Sequence, residues 1–204
     1  DKHIPTGGGL GGGSSNAGTL LAWLRQRYEL DPAGVAAIAL ELGADVPFFL
    51  QTEPALLHGI GDIMEPIAMG PGLGVLCFPL LGVHTGKAYT LLKRTLQPAP
   101  PPRILSGLRT EALAALAASD WKRVRDLKND FEEPVFAMHP ALQTVKQAFF
   151  DHGAAFASLS GSGSSLYGLV STEAEQQRVL EQMQRQFADY RFQAFRFAGS
   201  VSTG

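Results

Sequence analysis

A single cysteine, Cys77, stands among the 204 residues, so no disulfide can form within the chain and no cysteine-rich zinc site can be built. Its setting, Val75-Leu76-Cys77-Phe78, reads as that of a small buried hydrophobe, and the cysteine usage favours a reducing, cytoplasmic location. Charge is scarce as well: Asp, Glu, Lys and Arg make up 18% of the chain, and the formal net charge is -2 with the signs mixed. No basic footprint marks a nucleic-acid surface, and no polybasic cluster marks a membrane surface. Long apolar runs are missing. The longest, about Gly72 to Val83, is too short and too interrupted by Gly and Pro to span a bilayer. The five histidines show no metal-ligand spacing, so no protein metal site is expected. The opening Asp1-Lys2-His3-Ile4-Pro5 has neither the apolar core of a signal peptide nor the composition of a transit peptide, and reads as a start partway into a fold.

What is there is an ordinary globular composition, 45% hydrophobic, in a chain long enough for one large domain or two small ones. Leu20, Leu21, Trp23, Leu24 and Tyr28 approach the helical period, which predicts a helix over 16–28. A second helix is punctuated by Asp31 as N-cap, Pro32 at the first helical position and Gly43 after its end. Ala44 to Leu50 reads as a tight turn into an extended apolar run. Gly59, Gly61, Gly70 and Gly72 with Pro66 and Pro71 break the pattern and place a domain boundary near Pro71, giving domains 1–71 and 72–204.

In the second domain Val75–Leu81 reads as a strand and Thr85–Leu96 as a helix, followed by a stiff loop at Pro98–Pro102. Two or three helices are expected between Glu111 and Asp151, the last starting at Pro140. Strands at Ala154–Leu159 and Leu166–Ser171 flank Ser160-Gly161-Ser162-Gly163-Ser164-Ser165. Thr172 and Glu175 form a capping box for a helix to about Ala188, and Arg191–Ala198 closes as a strand. The alternation implies an α+β class, helices packed on a mostly antiparallel sheet.

The run Gly7-Gly8-Gly9-Leu10-Gly11-Gly12-Gly13-Ser14-Ser15 can be a flexible linker or a phosphate loop. Leu10 interrupts the glycines, Pro5 fixes the entry, and a helix is expected directly after Ser15, which favours the second. Glycines let successive backbone N–H groups converge on an anion, and a helix N-terminus adds partial positive charge. Ser14 and Ser15 supply hydroxyls for phosphate or for Mg²⁺. No lysine follows the glycines, so this is not a Walker A loop, and Ser14 stands where a dinucleotide fingerprint needs its third glycine.

With Pro5 and the Ser14-Ser15-Asn16-Ala17 that follows, this run resembles the ATP-binding motif of the GHMP kinases. The resemblance extends in order through Leu42-Gly43-Ala44-Asp45-Val46-Pro47, Gly59-Ile60-Gly61-Asp62, Thr85 to Tyr89, Asn129-Asp130 and Ser160-Gly161-Ser162-Gly163. It implies the two-domain GHMP-kinase fold: an incomplete N-terminal domain like the second domain of ribosomal protein S5, and a ferredoxin-like C-terminal α/β domain. The triple glycine looks most like the branch of the family acting on a cytidine-diphosphate-linked polyol. The implied activity is ATP-dependent phosphorylation of the 2-hydroxyl of 4-diphosphocytidyl-2-C-methyl-D-erythritol, in non-mevalonate isoprenoid synthesis. A homoserine or mevalonate type of kinase, and a non-catalytic nucleotide-binding fragment, are the alternatives.

The resemblance assigns ATP phosphates to Pro5, Gly7, Gly8, Gly9, Leu10, Gly11, Gly12, Gly13, Ser14 and Ser15, with Mg²⁺ as companion ion. It implies catalysis for Asp45, in partnership with a lysine; a turn aspartate capping its own backbone is the other reading. Thr85 and Tyr89 match positions at the cytidine end of the substrate, where an aromatic ring can stack, although Tyr89 can equally pack a helix. Gly161, Ser162 and Gly163 are expected to close over substrate and phosphates, or else form a plain hairpin turn. Lys2 and Ile4 border the adenine, His84 departs from the family pattern, and Asn129-Asp130 is read as holding the two domains together. The family's lysine-bearing first motif lies upstream of the glycine loop and has no counterpart here. Apolar surface uncovered on the first helix and little activity from these residues alone are therefore expected. Small-molecule substrates are the expected partners, with no nucleic acid and no membrane, on a monomer or homodimer.

Overall fold

The computed structural model describes residues 7–59, 61, 63–79, 81–83, 85–92 and 108–200. They form two compact units: 11–67 in one, and 7–10 with 68–200 in the other. Pro98–Pro102 lies outside the described residues, as do Lys2, Ile4, Pro5, Ile60, Asp62 and His84. Among the described residues no helix is long and apolar enough to cross a membrane.

The unit of 11–67 holds α1 (Gly12–Tyr28), α2 (Pro32–Leu42), a 3-10 helix (Pro47–Leu50) and a hairpin of β1 (Ala55–His58) and β2 (Ile63–Pro66). α2 starts where its signals put it. The Asp31 carboxylate accepts from Gly34 N at 2.7 Å, Pro32 takes the first position, and Gly43 N closes on Ala39 O. Val35 and Ala39, four apart, form its buried face.

Three features differ from expectation. α1 begins at Gly12 rather than Asn16, because Gly11 in the left-handed conformation (φ 59°) turns the chain straight into the helix. Phe48-Phe49-Leu50 is a 3-10 turn and not an extended run, since Phe49 packs against α1. A Cβ on Gly18 would lie 2.5 Å from Phe49 Cβ, so the helix touches this turn through a bare glycine. The apolar side chains Leu20, Trp23 and Tyr28 of α1 are more than half exposed. Finally, the glycine-flanked stretch after Pro54 is not irregular but pairs as the hairpin, with Ala55 opposite Pro66 and His58 Nε2 3.1 Å from the Glu65 carboxylate.

The larger unit is built on β3 (Gly72–Phe78), β4 (Phe156–Leu159), β5 (Leu166–Val170) and β6 (Arg191–Phe197), ordered β4-β5-β3-β6 and antiparallel throughout. Between β3 and β4 come α3 (Thr85–Leu91), α4 (Leu108–Ala117), α5 (Glu132–Met138) and α6 (Pro140–Asp151); α7 (Glu173–Gln186) joins β5 to β6. This is the split β-α-β of ferredoxin-like folds. One sheet face carries Val75, Cys77, Ala157, Leu159 and Leu166 against Val145 and Phe149 of α6 and Val179 and Met183 of α7. Each such large side chain, fully buried, contributes about 1.5–3 kcal/mol. Gly168 leaves room for Phe149, whose ring would lie 2.6 Å from an added Cβ. The other face presents Phe156, Leu169, Phe195 and Phe197 to Ala115, Trp121 and Val124.

The capping box at α7 is complete: Thr172 Oγ1 accepts from Glu175 N at 3.1 Å, and Glu175 Oε2 accepts from Thr172 N at 3.2 Å. Gln176, one residue on, donates its side-chain amide to Gly74 O at 2.7 Å and Phe195 O at 2.8 Å, hooking the helix to two neighbouring strands.

Candidate functional site

Glycine 7 and glycine 9 both sit at φ +75°, a conformation that disfavours a side chain. Around them the chain is held by the loop between β4 and β5. Ser165 N–H donates to Gly8 O at 3.0 Å, and the Ser160 hydroxyl donates to Gly9 O at 2.9 Å. The approach is so close that a Cβ on Gly9 would lie 2.1 Å from Ser160 O and 2.7 Å from Gly163 O. Two carbonyls that would repel an anion are thus occupied. Leu10, the one residue with a side chain among Gly7–Gly13, lines an apolar cavity of about 410 Å³ with Leu76, Trp121, Phe156, Phe195 and Phe197.

The partner loop is itself tightly closed. Ser160 N donates to Ser165 O at 2.8 Å, Gly163 N to Ser160 O at 2.9 Å, and the Ser164 hydroxyl to Leu81 O at 2.5 Å. Gly161 (φ 53°) and Gly163 (φ 85°) supply the left-handed turns. Ser162, Gly163, Ser164 and Ser165 are buried, and Gly161 is exposed.

Behind the loop stands a polar cluster of which the sequence had singled out Asn129 but not Glu132, Lys146 or Ser158. Asn129 Nδ2 donates to Leu159 O at 2.9 Å and to Gly161 O at 2.7 Å, while its Oδ1 accepts from Phe131 N at 3.0 Å. These bonds reach Leu159, Gly161 and Phe131, all in the unit that holds 7–10 and 68–200. Glu132, 9% exposed, accepts through Oε1 from Leu159 N (3.1 Å) and the Ser158 hydroxyl (3.2 Å), and through Oε2 from Lys146 Nζ (2.6 Å). No motif announces a pair formed across two helices; the one visible signal was the Asn129-Asp130 that opens the segment. Next to it, burial pushes the Tyr167 hydroxyl above its ordinary pKa, the Ser158 hydrogen bond lowers it, and the charge of Glu132 raises it further.

In the other unit, α1 opens at Gly12. The amides of Gly12, Gly13 and Ser14 have no carbonyl to bond within the helix. Among the described residues no side chain caps them, no carboxylate stands in the first turn, and a Cβ on Gly13 would meet nothing within 4 Å. Ser15 N makes the first helical bond, to Gly11 O at 2.8 Å. Gly12, Gly13, Ser14 and Ser15 are thus the helix's first turn and not a loop ahead of it. Asp45 lies in the turn after α2, closed by Val46 N donating to Gly43 O at 3.0 Å. Its side chain is exposed and bonds no backbone group of that turn among the described residues, so the turn is not held by an aspartate cap.

Tyr89 on α3 is 62% exposed while Ala88 beside it is fully buried, so α3 packs through the alanine. The Tyr89 and Phe131 rings pack edge to face, with centroids 4.8 Å apart and planes at 80°. Thr85 opens α3, and its side chain lies outside the described residues. Burial pushes the Cys77 thiol up, far from the nucleophilic range. No group of three or more His, Cys, Asp or Glu able to hold a metal occurs among the described residues.

Two family models match, that of the GHMP kinases N terminal domain over residues 1–53 and that of the GHMP kinases C terminal over 112–189. The chain is 41% identical over 197 residues to a 4-diphosphocytidyl-2-C-methyl-D-erythritol kinase of Leptospira biflexa serovar Patoc, covering 96% of this chain and 64% of that protein. Against the kinase of the same name from Leptospira interrogans serovar copenhageni it is 36% identical, covering 96% and 67%. The chain thus spans about two thirds of the length of these relatives. A crystal structure of 4-(cytidine 5'-diphospho)-2C-methyl-D-erythritol kinase superposes with a TM-score of 0.79 at 33% identity, over 98% of this chain and 70% of that one. The fold, the two matched domains and these relatives agree: the chain belongs to the GHMP kinase family.

Proposed function

We propose that the protein carrying this chain is a kinase that transfers the γ-phosphoryl group of ATP to the 2-hydroxyl of 4-diphosphocytidyl-2-C-methyl-D-erythritol, in non-mevalonate isoprenoid synthesis. The observation that carries this reading is the 36–41% identity, over 96% of the chain, to kinases named for that substrate. The uncapped, acid-free start of α1 supports it, because a phosphate placed there meets N–H groups and a favourable dipole without a competing carboxylate. Gly7 to Ser15 hold the ATP phosphates in this reading, entered through Pro5. The described residues offer Mg²⁺ the Ser14 and Ser15 hydroxyls, which suits an ion that takes most of its oxygens from phosphate and water.

Asp45 accepts the proton of the attacking hydroxyl or orients it, and its freedom from the turn backbone supports that role. Tyr89, with Thr85, faces the cytidine, and Gly161, Ser162 and Gly163 border substrate and phosphates. Residues 1–71 and 72–204 are read as the two domains that carry these halves, in a cytoplasmic monomer or homodimer. The test is Asp45→Asn in the full-length protein, assayed with ATP and the cytidylyl substrate. Turnover is expected to fall by about 10²–10⁴-fold while ATP affinity stays within a few-fold. Near-normal turnover sinks the assignment, and ATP binding without turnover in the unmodified protein sinks the kinase reading.

A further inference from the structure

We infer that Asn129 and Glu132, which lie in neither glycine loop, are positioning residues that set the conformation of Gly7–Gly9 through the Ser160–Ser165 loop. The inference rests on the reading of Gly7–Ser15 as a phosphate site.

The four-residue segment 129–132 grips Leu159, the last residue of β4, on both its polar groups. Glu132 takes the N–H and Asn129 gives to the carbonyl. Asn129 also reaches past Ser160 to the carbonyl of Gly161, so the residue that bonds Gly9 is bracketed on either side. Asn129 is in turn held by Phe131 N, and Glu132 by Lys146 of α6. Neither grip can slide.

Such a carboxylate is an unusual choice for stability. Removing an acid from water is costly, and a well-packed apolar side chain often serves a buried position as well or better. What Glu132 supplies instead is a fixed acceptor for one amide, that of Leu159, and for the adjacent Ser158 hydroxyl. A charge-assisted acceptor holds an N–H more narrowly than a neutral one.

The loop passes that position on. Gly9 already lies at the limit of approach to Ser160 O and Gly163 O, and two hydrogen bonds tie Gly8 and Gly9 to the loop. A loop shifted by an ångström either breaks these bonds or drags the glycines along. Every member of this relay lies in the same compact unit.

The experiment compares Asn129→Ala, Glu132→Ala and the isosteric Glu132→Gln in the full-length protein, with Gln176→Ala as a control. Gln176 also bonds two backbone carbonyls of this unit, one buried and one part-buried, and bonds to neither loop. Two quantities are read: amide hydrogen exchange over 7–10 and 159–165 without nucleotide, and ATP affinity beside the KM of the second substrate. The alanine variants are expected to exchange faster in both segments and to weaken ATP binding about tenfold, with the other KM changing much less. Glu132→Gln should recover most of the affinity, and Gln176→Ala should lower the melting temperature without either change. Faster exchange confined to 159–165, or an affinity loss shared by Gln176→Ala, overturns the relay. If one alanine variant does not fold, the other decides in its place. If neither folds, exchange in Glu132→Gln decides: it should be faster than in the unmodified protein over both 7–10 and 159–165, although affinity is largely kept. Unchanged exchange over 7–10 then overturns the inference. If the unmodified protein does not bind ATP, the phosphate-site reading falls, whereas the exchange measurement still decides whether 129–132 governs Gly7–Gly9.

Discussion

Replacing Gly9 by alanine, with Gly7→Ala as its reference, isolates the contact between the two glycine loops. The two glycines share φ +75°, so each alanine bears the same left-handed penalty of about 1–2 kcal/mol, reduced by about 0.4–1 kcal/mol through the stiffer unfolded chain. At Gly7 nothing among the described residues lies within 4 Å of the new Cβ, and the net loss should stay near 1 kcal/mol. At Gly9 the Cβ would fall 2.1 Å from Ser160 O, a backbone atom that cannot rotate away. The loops must part by more than an ångström, which breaks the bonds from Ser165 N and the Ser160 hydroxyl. Two hydrogen bonds at about 1 kcal/mol each, with the 1%-exposed Ser165 left partly unpaired, bring the expected loss to about 3–4 kcal/mol. The relief gained by opening the loops caps it there. Melting temperature should drop by roughly 6–16 °C, against a few degrees for Gly7→Ala. Denaturant titration with an unchanged m-value gives the free energies directly. Equal losses for the two variants would refute the close approach as the reason for glycine at position 9.

On the second sheet face, Gly72→Ala sets a Cβ 2.2 Å from the Phe197 ring, so its penalty should shrink when Phe197 is cut to alanine in a double-mutant cycle. Gly74→Ala meets the backbone oxygen of Gly168 at 2.6 Å as well as Phe195, and truncating Phe195 should not rescue it. Gln176→Leu removes the donor to Gly74 O and Phe195 O and is expected to cost about 2 kcal/mol in a denaturant titration. Cys77 is fully buried with its thiol pKa pushed up, so little thiolate exists at neutral pH; labelling by a thiol reagent should follow the unfolding rate. Rapid labelling of the native protein would contradict the burial.

Where local chemistry decides the structure, the chain was readable. Asp31, Pro32 and Gly43 bound α2, and Thr172 with Glu175 starts α7, because caps are settled within a few residues. β5 was visible as an apolar run and β6 as an alternation of polar and apolar residues, each beside turn residues. Phe48-Phe49-Leu50 was misread because an apolar triplet has no period of its own, and its 3-10 form depends on the bare surface of Gly18. The hairpin was hidden since its strands have four residues each, and Gly59 and Gly61 were read as breaks instead of as its turn. The glycine loops were legible as motifs, while Glu132 and Lys146 were not. Their pairing is a product of how α5 and α6 pack, which no spacing rule encodes.

The bond from Ser160 to Gly9 spans 151 positions of the chain. Closing a loop of that length from an open coil costs on the order of 4 kcal/mol in entropy, more than two ordinary hydrogen bonds return. The clasp cannot nucleate folding. It forms once β3, β5 and β6 have already brought the early and late parts of the chain together. During synthesis Gly7–Gly9 emerges long before its partner, so the glycine-rich segment waits, unformed, until the β4–β5 hairpin has left the ribosome.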